Sequence, residues 1–150
     1  MNYKPEGYQD VIANLTFKDS KAASSFYEKA LGATDVQIME DDKGWVMHGN
    51  MRLGDCVMFF NDEAEFMPRK APTGPTSFAL YLYVEDVDAA YRQAVNAGMT
   101  GVYEPQTMFW GDRTAVLSDP FYYTWTLSTQ VAQPSPEEIA AGQKAMFGGA

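Results

Sequence analysis

The order strand, capped helix, strand, strand, strand is written twice along this chain, and that repetition limits its fold more than any other feature. In the first copy, residues 11–18 (VIANLTFK) alternate and carry β formers, which predicts a strand. Asp19 and Ser20 are N-cap candidates for a helix over 21–31, and Gly32 is its left-handed stop. Strands follow near 34–40, over 45–52 and over 56–61, separated by turn residues at 41–44 and at Gly54-Asp55. Residues 62–76 hold acids and prolines without periodicity and read as a connector. The second copy opens with a strand at 77–84, then Asp86 as cap, a helix over 87–97 and Gly98 as stop. Strands at 100–104, 113–118 and 123–129 complete it. Phe17-Lys18-Asp19 corresponds to Val84-Glu85-Asp86 at a spacing of 67 residues. Trp45 aligns with Trp110, His48 with Arg113 and Asp55 with Asp119 at nearly the same spacing.

A four-stranded sheet with one helix on its back leaves its other face unsatisfied, and two such sheets can curl and pair around a cavity. The expected fold class is therefore α+β: two tandem βαβββ modules forming curled mixed sheets around a shared cavity, plus a C-terminal helix. Residues 1–150 are expected to form a single domain, with module one at about 10–62, module two at about 77–130 and a helical tail at 131–150. In the tail, Ser135-Pro136-Glu137-Glu138 reads as a capping box with proline in the first turn, starting a helix that runs to about Met146.

A net charge of -9 argues against nucleic acid as a partner, because phosphate binding needs a positive face. No apolar run approaches the roughly 20 residues of a membrane helix. The N-terminus has no apolar stretch of the signal-peptide kind. Cys56 is the only cysteine, so no intrachain disulfide forms and a cytoplasmic setting is expected. Its neighbours, CVMFF, make it read as a small buried hydrophobe.

Five segments carry a resemblance: "ANLTFKDSKAASSFYEKALGA", "MRLGDCVMFFND", "LYLYVEDVDAAYRQAVNAGM", "FWGDRTAVLSDPF" followed by "TWTLST", and "SPEEI". Together they resemble the vicinal oxygen chelate superfamily, which includes glyoxalase I, extradiol dioxygenases and bleomycin-resistance proteins. Within it, they look like the PhnB-like branch. The resemblance implies a homodimer. In the metal-dependent members it also implies four side chains holding one divalent ion: a His or Gln on the first strand of each module and a Glu on the last. Carried over, those positions fall at Ile12, at Ala79, near Thr126 and within residues 56–60, which are Cys, Val, Met, Phe and Phe. None of these is the expected ligand, so no metal or other cofactor is expected. The lone histidine, His48, has the choice of a structural hydrogen bond or a place in the cavity, sharing a face with Val46 and Asn50. In "DPFYYTW", Tyr122 and Tyr123 stand where the family pattern has Gly-His. A left-handed backbone at Tyr122 is then strained by about 1 kcal/mol or more, or the turn differs.

Alternation along the first strands predicts that Ala13, Leu15, Phe17, Leu80, Leu82 and Val84 pack on helices. Asn14, Thr16, Tyr81 and Tyr83 then face the cavity. Thr126 follows from the last strand, and Met58 and Phe60 are expected as module one's contribution. Trp110 is read as a pocket wall or a plug at its rim. Arg113 has two readings: a clamp for a ligand carboxylate or phosphate, or a pair with Asp112 or Asp119. The ligand-binding candidates are thus Asn14, Thr16, His48, Met58, Phe60, Tyr81, Tyr83, Trp110, Arg113 and Thr126. Three functions remain open at this level. One is a metal-free protein binding a small hydrophobic or aromatic molecule. Another is an isomerase or lyase using an atypical metal or a His/Tyr acid–base. The third is a dimeric interaction module with a vestigial cavity.

Overall fold

Asp19 and Asp86 are extended, and each carboxylate accepts the N–H of the residue three positions on, from Ala22 and Ala89. They start α1 (Ser20–Leu31) and α2 (Val87–Ala97). Gly32 stops α1 in the left-handed region, at φ 70°. The computed structural model describes residues 1–148. Its strands are β1 (Asn14–Phe17), β2 (Thr34–Glu40), β3 (Val46–Leu53) and β4 (Cys56–Asp62) in module one. Module two has β5 (Ala79–Tyr83), β6 (Thr100–Thr107), β7 (Asp112–Ser118) and β8 (Thr124–Gln130), and α3 (Pro136–Phe147) ends the chain. The two sheets have the orders β1-β4-β3-β2 and β5-β8-β7-β6. In each, the first strand runs parallel to the last and the remaining pairs are antiparallel. This is the α+β fold with two tandem modules and a C-terminal helix that the repeat predicts.

One core serves both modules. Leu15 and Phe17 of β1, Met51 of β3 and Tyr27 of α1 join Trp125 and Leu127 of β8 in a single buried cluster. The Tyr27 and Trp125 rings lie 5.4 Å apart, and α1 packs on α2. Side chains of this size each contribute about 1.5–3 kcal/mol on burial, so the cluster joins the modules strongly. Ala13, Leu80, Leu82 and Val84 pack against the same cluster, as alternation requires.

Two expectations about module one are corrected. Phe60 faces the helix rather than a cavity between the sheets, because it pairs with Gly49 on the core side. The Phe60 ring lies directly over Gly49, where any Cβ would come within 2.1 Å of it. Val46 also turns into the core instead of sharing a face with His48. The β2–β3 pairing slips between Met39 and Glu40, leaving Met47 as the extra residue, so sides change between Val46 and His48. The helix start in the tail follows its sequence: the Ser135 hydroxyl accepts from Glu138 N–H, and the Glu138 carboxylate accepts from Ser135 N–H. Gly142 lets α3 approach Phe109, whose Cβ lies 2.4 Å from where a Cβ would stand.

Candidate ligand-binding site

Where the modules meet, β1 and β5 are both sheet edges, and a cleft opens at each end of the seam. The smaller, about 250 Å³, lies beside Thr16, Phe17 and the β7–β8 turn at Pro120, Phe121 and Tyr122. The larger, about 590 Å³, runs along β5 from Leu80 to Tyr83. Its other walls come from Val11 and Ala13, from the β3–β4 hairpin at Leu53 to Met58, and from Trp125. Gln9 fixes the N-terminal wall. Its side-chain amide donates to the Val57 carbonyl at 2.5 Å and accepts from Val57 N–H at 3.0 Å, standing in for a missing strand.

Of the ten candidates, Tyr81, Tyr83 and Met58 line this cleft. The two tyrosines direct their rings to the sheet face opposite Leu80 and Leu82, where a buried carboxylate gathers them. Tyr83 Oη donates to Asp112 Oδ2 at 2.8 Å, and Tyr81 Oη lies 3.4 Å from the same oxygen and 3.1 Å from Ser128 Oγ. The hydrogen bond to Asp112 holds the Tyr83 proton in place and pushes its pKa up to about 12. Thr126 pairs with Tyr81 across the β5–β8 ladder and shares that face.

Asn14, Thr16 and His48 gather instead on module one's sheet face. Thr16 is buried and lies 3.4 Å from Asn61 across its hydroxyl and the amide oxygen. His48 packs edge-on against Phe59, with ring centroids 4.7 Å apart. Arg69 of the connector crosses this edge. It donates to the Asn14 carbonyl at 2.8 Å and to Asn61 Oδ1 at 3.1 Å. Nothing in the sequence of the connector singled Arg69 out.

Phe60 is sealed in the core, and Trp110 sits in the β6–β7 turn, edge-on to Phe109 at 5.0 Å. Arg113 points to the helix layer. Its Nε and Nη2 donate to Asp88 Oδ2 and Oδ1 at 2.7 and 2.8 Å, so its partner is Asp88 rather than Asp112 or Asp119. The ion pair raises the Arg113 pKa and lowers that of Asp88. The motif alignment of His48 with Arg113 is off by one in strand register. Gly49 pairs with Phe60 as Ala115 pairs with Leu127, so His48 corresponds to Thr114. Cys56 is exposed rather than buried, because it is the first strand residue after a two-residue turn, at the cleft margin.

Asp119 is tied into the junction. Its carboxylate accepts from Tyr27 Oη, from Trp125 Nε1 at 2.9 Å, and from the N–H groups of Phe121 and Tyr123. Burial pushes its pKa up against the pull of these donors. Tyr122 adopts the left-handed backbone, with φ 72°. Tyr123 is buried, and its hydroxyl bonds both the N–H and the carbonyl of Thr16.

The side chains at the implied metal positions do not fit a divalent ion. Ile12 and Ala79 offer no donor, Thr126 offers a neutral hydroxyl, and Phe59, which matches Thr126 in strand register, offers no donor either. Among the described residues, no three His, Cys, Asp or Glu side chains converge. No helix among them is long and apolar enough to cross a membrane.

Comparison with known proteins agrees with this architecture. The chain is 32% identical over 141 residues to the uncharacterized protein Rv0887c of Mycobacterium tuberculosis (strain ATCC 25618 / H37Rv), covering 91% of this chain and 83% of that protein. It resembles the crystal structure of TioX from Micromonospora sp. ML1 with a TM-score of 0.66 and 19% identity, over 82% of this chain and 99% of that one. A glyoxalase/bleomycin resistance protein/dioxygenase family enzyme from Burkholderia phytofirmans PsJN gives a TM-score of 0.62 at 22% identity, over 80% and 97% of the two chains. At these identities the structural likenesses are likenesses of fold. A family model described as Glyoxalase/Bleomycin resistance protein/Dioxygenase superfamily matches residues 10–127, and the chain belongs to that superfamily.

Proposed function

We propose that this protein binds a small hydrophobic or aromatic molecule, without the chelated metal of its metal-dependent relatives, in the larger cleft between its modules. The carrying observation is the cleft itself. Its volume of about 590 Å³ lies within the usual span of small-molecule pockets, and its walls are mostly apolar with a few polar groups at the edge. The neighbouring phenol of Tyr83, with its pKa pushed up to about 12, keeps its proton at neutral pH. That favours binding over proton abstraction by this group. Half-exposed Met39 on β2 and Val102 and Tyr103 on β6, the outer strands, with Met47 on the neighbouring β3, support a homodimer in which a second copy covers them. The local motifs favour the PhnB-like branch, and a lone exposed thiol suits a reducing, cytoplasmic setting.

The binding reading is tested by thermal shift with a panel of uncharged aromatic compounds. Several should raise Tm in the wild type and none in Leu82→Arg, which places a cation on the cleft wall while keeping the wild-type circular dichroism. A panel that leaves the wild-type Tm unmoved refutes the reading. Light scattering after size exclusion should give twice the chain mass, and a monomer there rejects the dimer alone.

A further inference from the structure

The repeat relates the two ends of the seam, yet they are finished differently. The offset that takes Asp19 to Asp86 also takes Thr16 to Tyr83 and Cys56 to Tyr123. At the first end, the buried Tyr123 ring fills the space beside β1. Its hydroxyl accepts from Thr16 N–H at 3.2 Å and donates to the Thr16 carbonyl at 2.9 Å. A phenol thus closes the outer edge of β1.

At the second end the closing group is missing. The corresponding residue is Cys56, exposed and far shorter than a tyrosine, and its hairpin turns through Gly54-Asp55 alone. The outer edge of β5 is correspondingly bare. Val84 N–H donates to the Ser128 carbonyl at 2.8 Å, and the Val84 carbonyl accepts from Thr129 Oγ1 at 2.9 Å, so the Val84 peptide groups face β8. Strand alternation turns the N–H and carbonyl of Tyr83 the other way, to the side where the cleft lies. Among the described residues, no group hydrogen-bonds to them. Asp112 meanwhile holds the Tyr83 side chain on the sheet face, clear of its own strand edge.

We propose that this cleft takes a neutral hydroxyaryl ligand, its ring seated as Tyr123 is seated at the first end and its hydroxyl paired with the N–H and carbonyl of Tyr83. This rests on the binding reading above and gives it a ligand class. Leu53, Leu82 and Trp125 supply the apolar wall for the ring, and Asp55 at the mouth selects against anionic aromatics. A hydroxyl both donates and accepts, so one group satisfies both bare backbone atoms.

The test compares p-cresol, the tyrosine side chain as a free molecule, with p-xylene, its shape-matched analogue lacking the hydroxyl. Both are titrated into the wild-type protein and followed by amide NMR. p-Cresol should bind roughly tenfold more tightly and move the Tyr83 amide resonance, since a lost hydrogen bond to a prepared site costs about that factor. Cys56→Tyr should close the cleft from within, abolish binding of both compounds and raise Tm. Equal affinity for the two compounds overturns the hydroxyaryl inference and leaves the binding reading intact. Binding of neither removes both. p-Cresol binding that survives in folded Cys56→Tyr, or that leaves Tyr83 unmoved, also overturns the inference. If Cys56→Tyr does not fold, the wild-type comparison decides alone.

Discussion

Tyr122 holds a left-handed backbone at φ 72°, where its β-carbon crowds the neighbouring carbonyl. For a residue with a side chain this costs about 1–2 kcal/mol, while glycine's greater freedom in the unfolded chain returns about 0.5–1 kcal/mol. The side chain is 46% exposed, so its removal loses little burial. Tyr122→Gly should therefore stabilise the protein by roughly 0.5–1 kcal/mol, seen as a higher urea midpoint at unchanged slope. That strain was legible in the sequence, because the turn chemistry is local. Cys56 was not: its apolar neighbours signalled burial, but its place directly after a two-residue turn governs its exposure. Arg113 was half legible, since a pairing role was foreseen while the partner, Asp88, comes from a helix remote in sequence.

Elements announce their starts and stops more clearly than their faces. The caps at Asp19, Asp86 and Ser135 depend on residues three apart, and each forms as its sequence implies. Facing at the start of β3 depends on a slip in pairing with β2 that no alternation pattern reveals, and it misplaced Val46. The Arg113–Asp88 pair shows what fixes an element once its register is set, clamping β7 to the first turn of α2 through two hydrogen bonds. Arg113 holds the Asp88 carboxyl below its ordinary value, so this contribution is full above the unfolded carboxylate pKa of about 3.9. It is lost as pH falls through the depressed folded value. Arg113→Gln should lower Tm at neutral pH, and its difference from wild type should shrink as pH falls through that window. A gap that stays constant down to acid pH means that packing of the guanidinium, not its charge, makes the contribution.

At the scale of the whole molecule, the repeat is a near-symmetry broken at one place. Tyr27 and Trp125, one from each module, meet in a shared core, and Tyr123 of module two completes the edge of β1 in module one. The architecture followed from the doubled pattern of elements, whereas the position of the cleft follows from what each hairpin brings to the other module's first strand. The contrast between Gly54-Asp55-Cys56 and the aromatic turn at Phe121-Tyr122-Tyr123 was visible, but its meaning needed the seam. If Tyr123 joins the modules through its hydroxyl, Tyr123→Phe should keep the ring packing and leave the buried Thr16 N–H and carbonyl unpaired. The cost should be about 1–3 kcal/mol in urea unfolding. Because the core is common to both sheets, the transition should remain single. Native-state amide exchange should quicken to the same extent at Leu15 in β1 and Leu127 in β8, since global opening exposes both. Quickening confined to β1 shows instead that this hydroxyl secures only a strand edge, and that the apolar contacts of Tyr27 and Trp125 hold the modules together unaided.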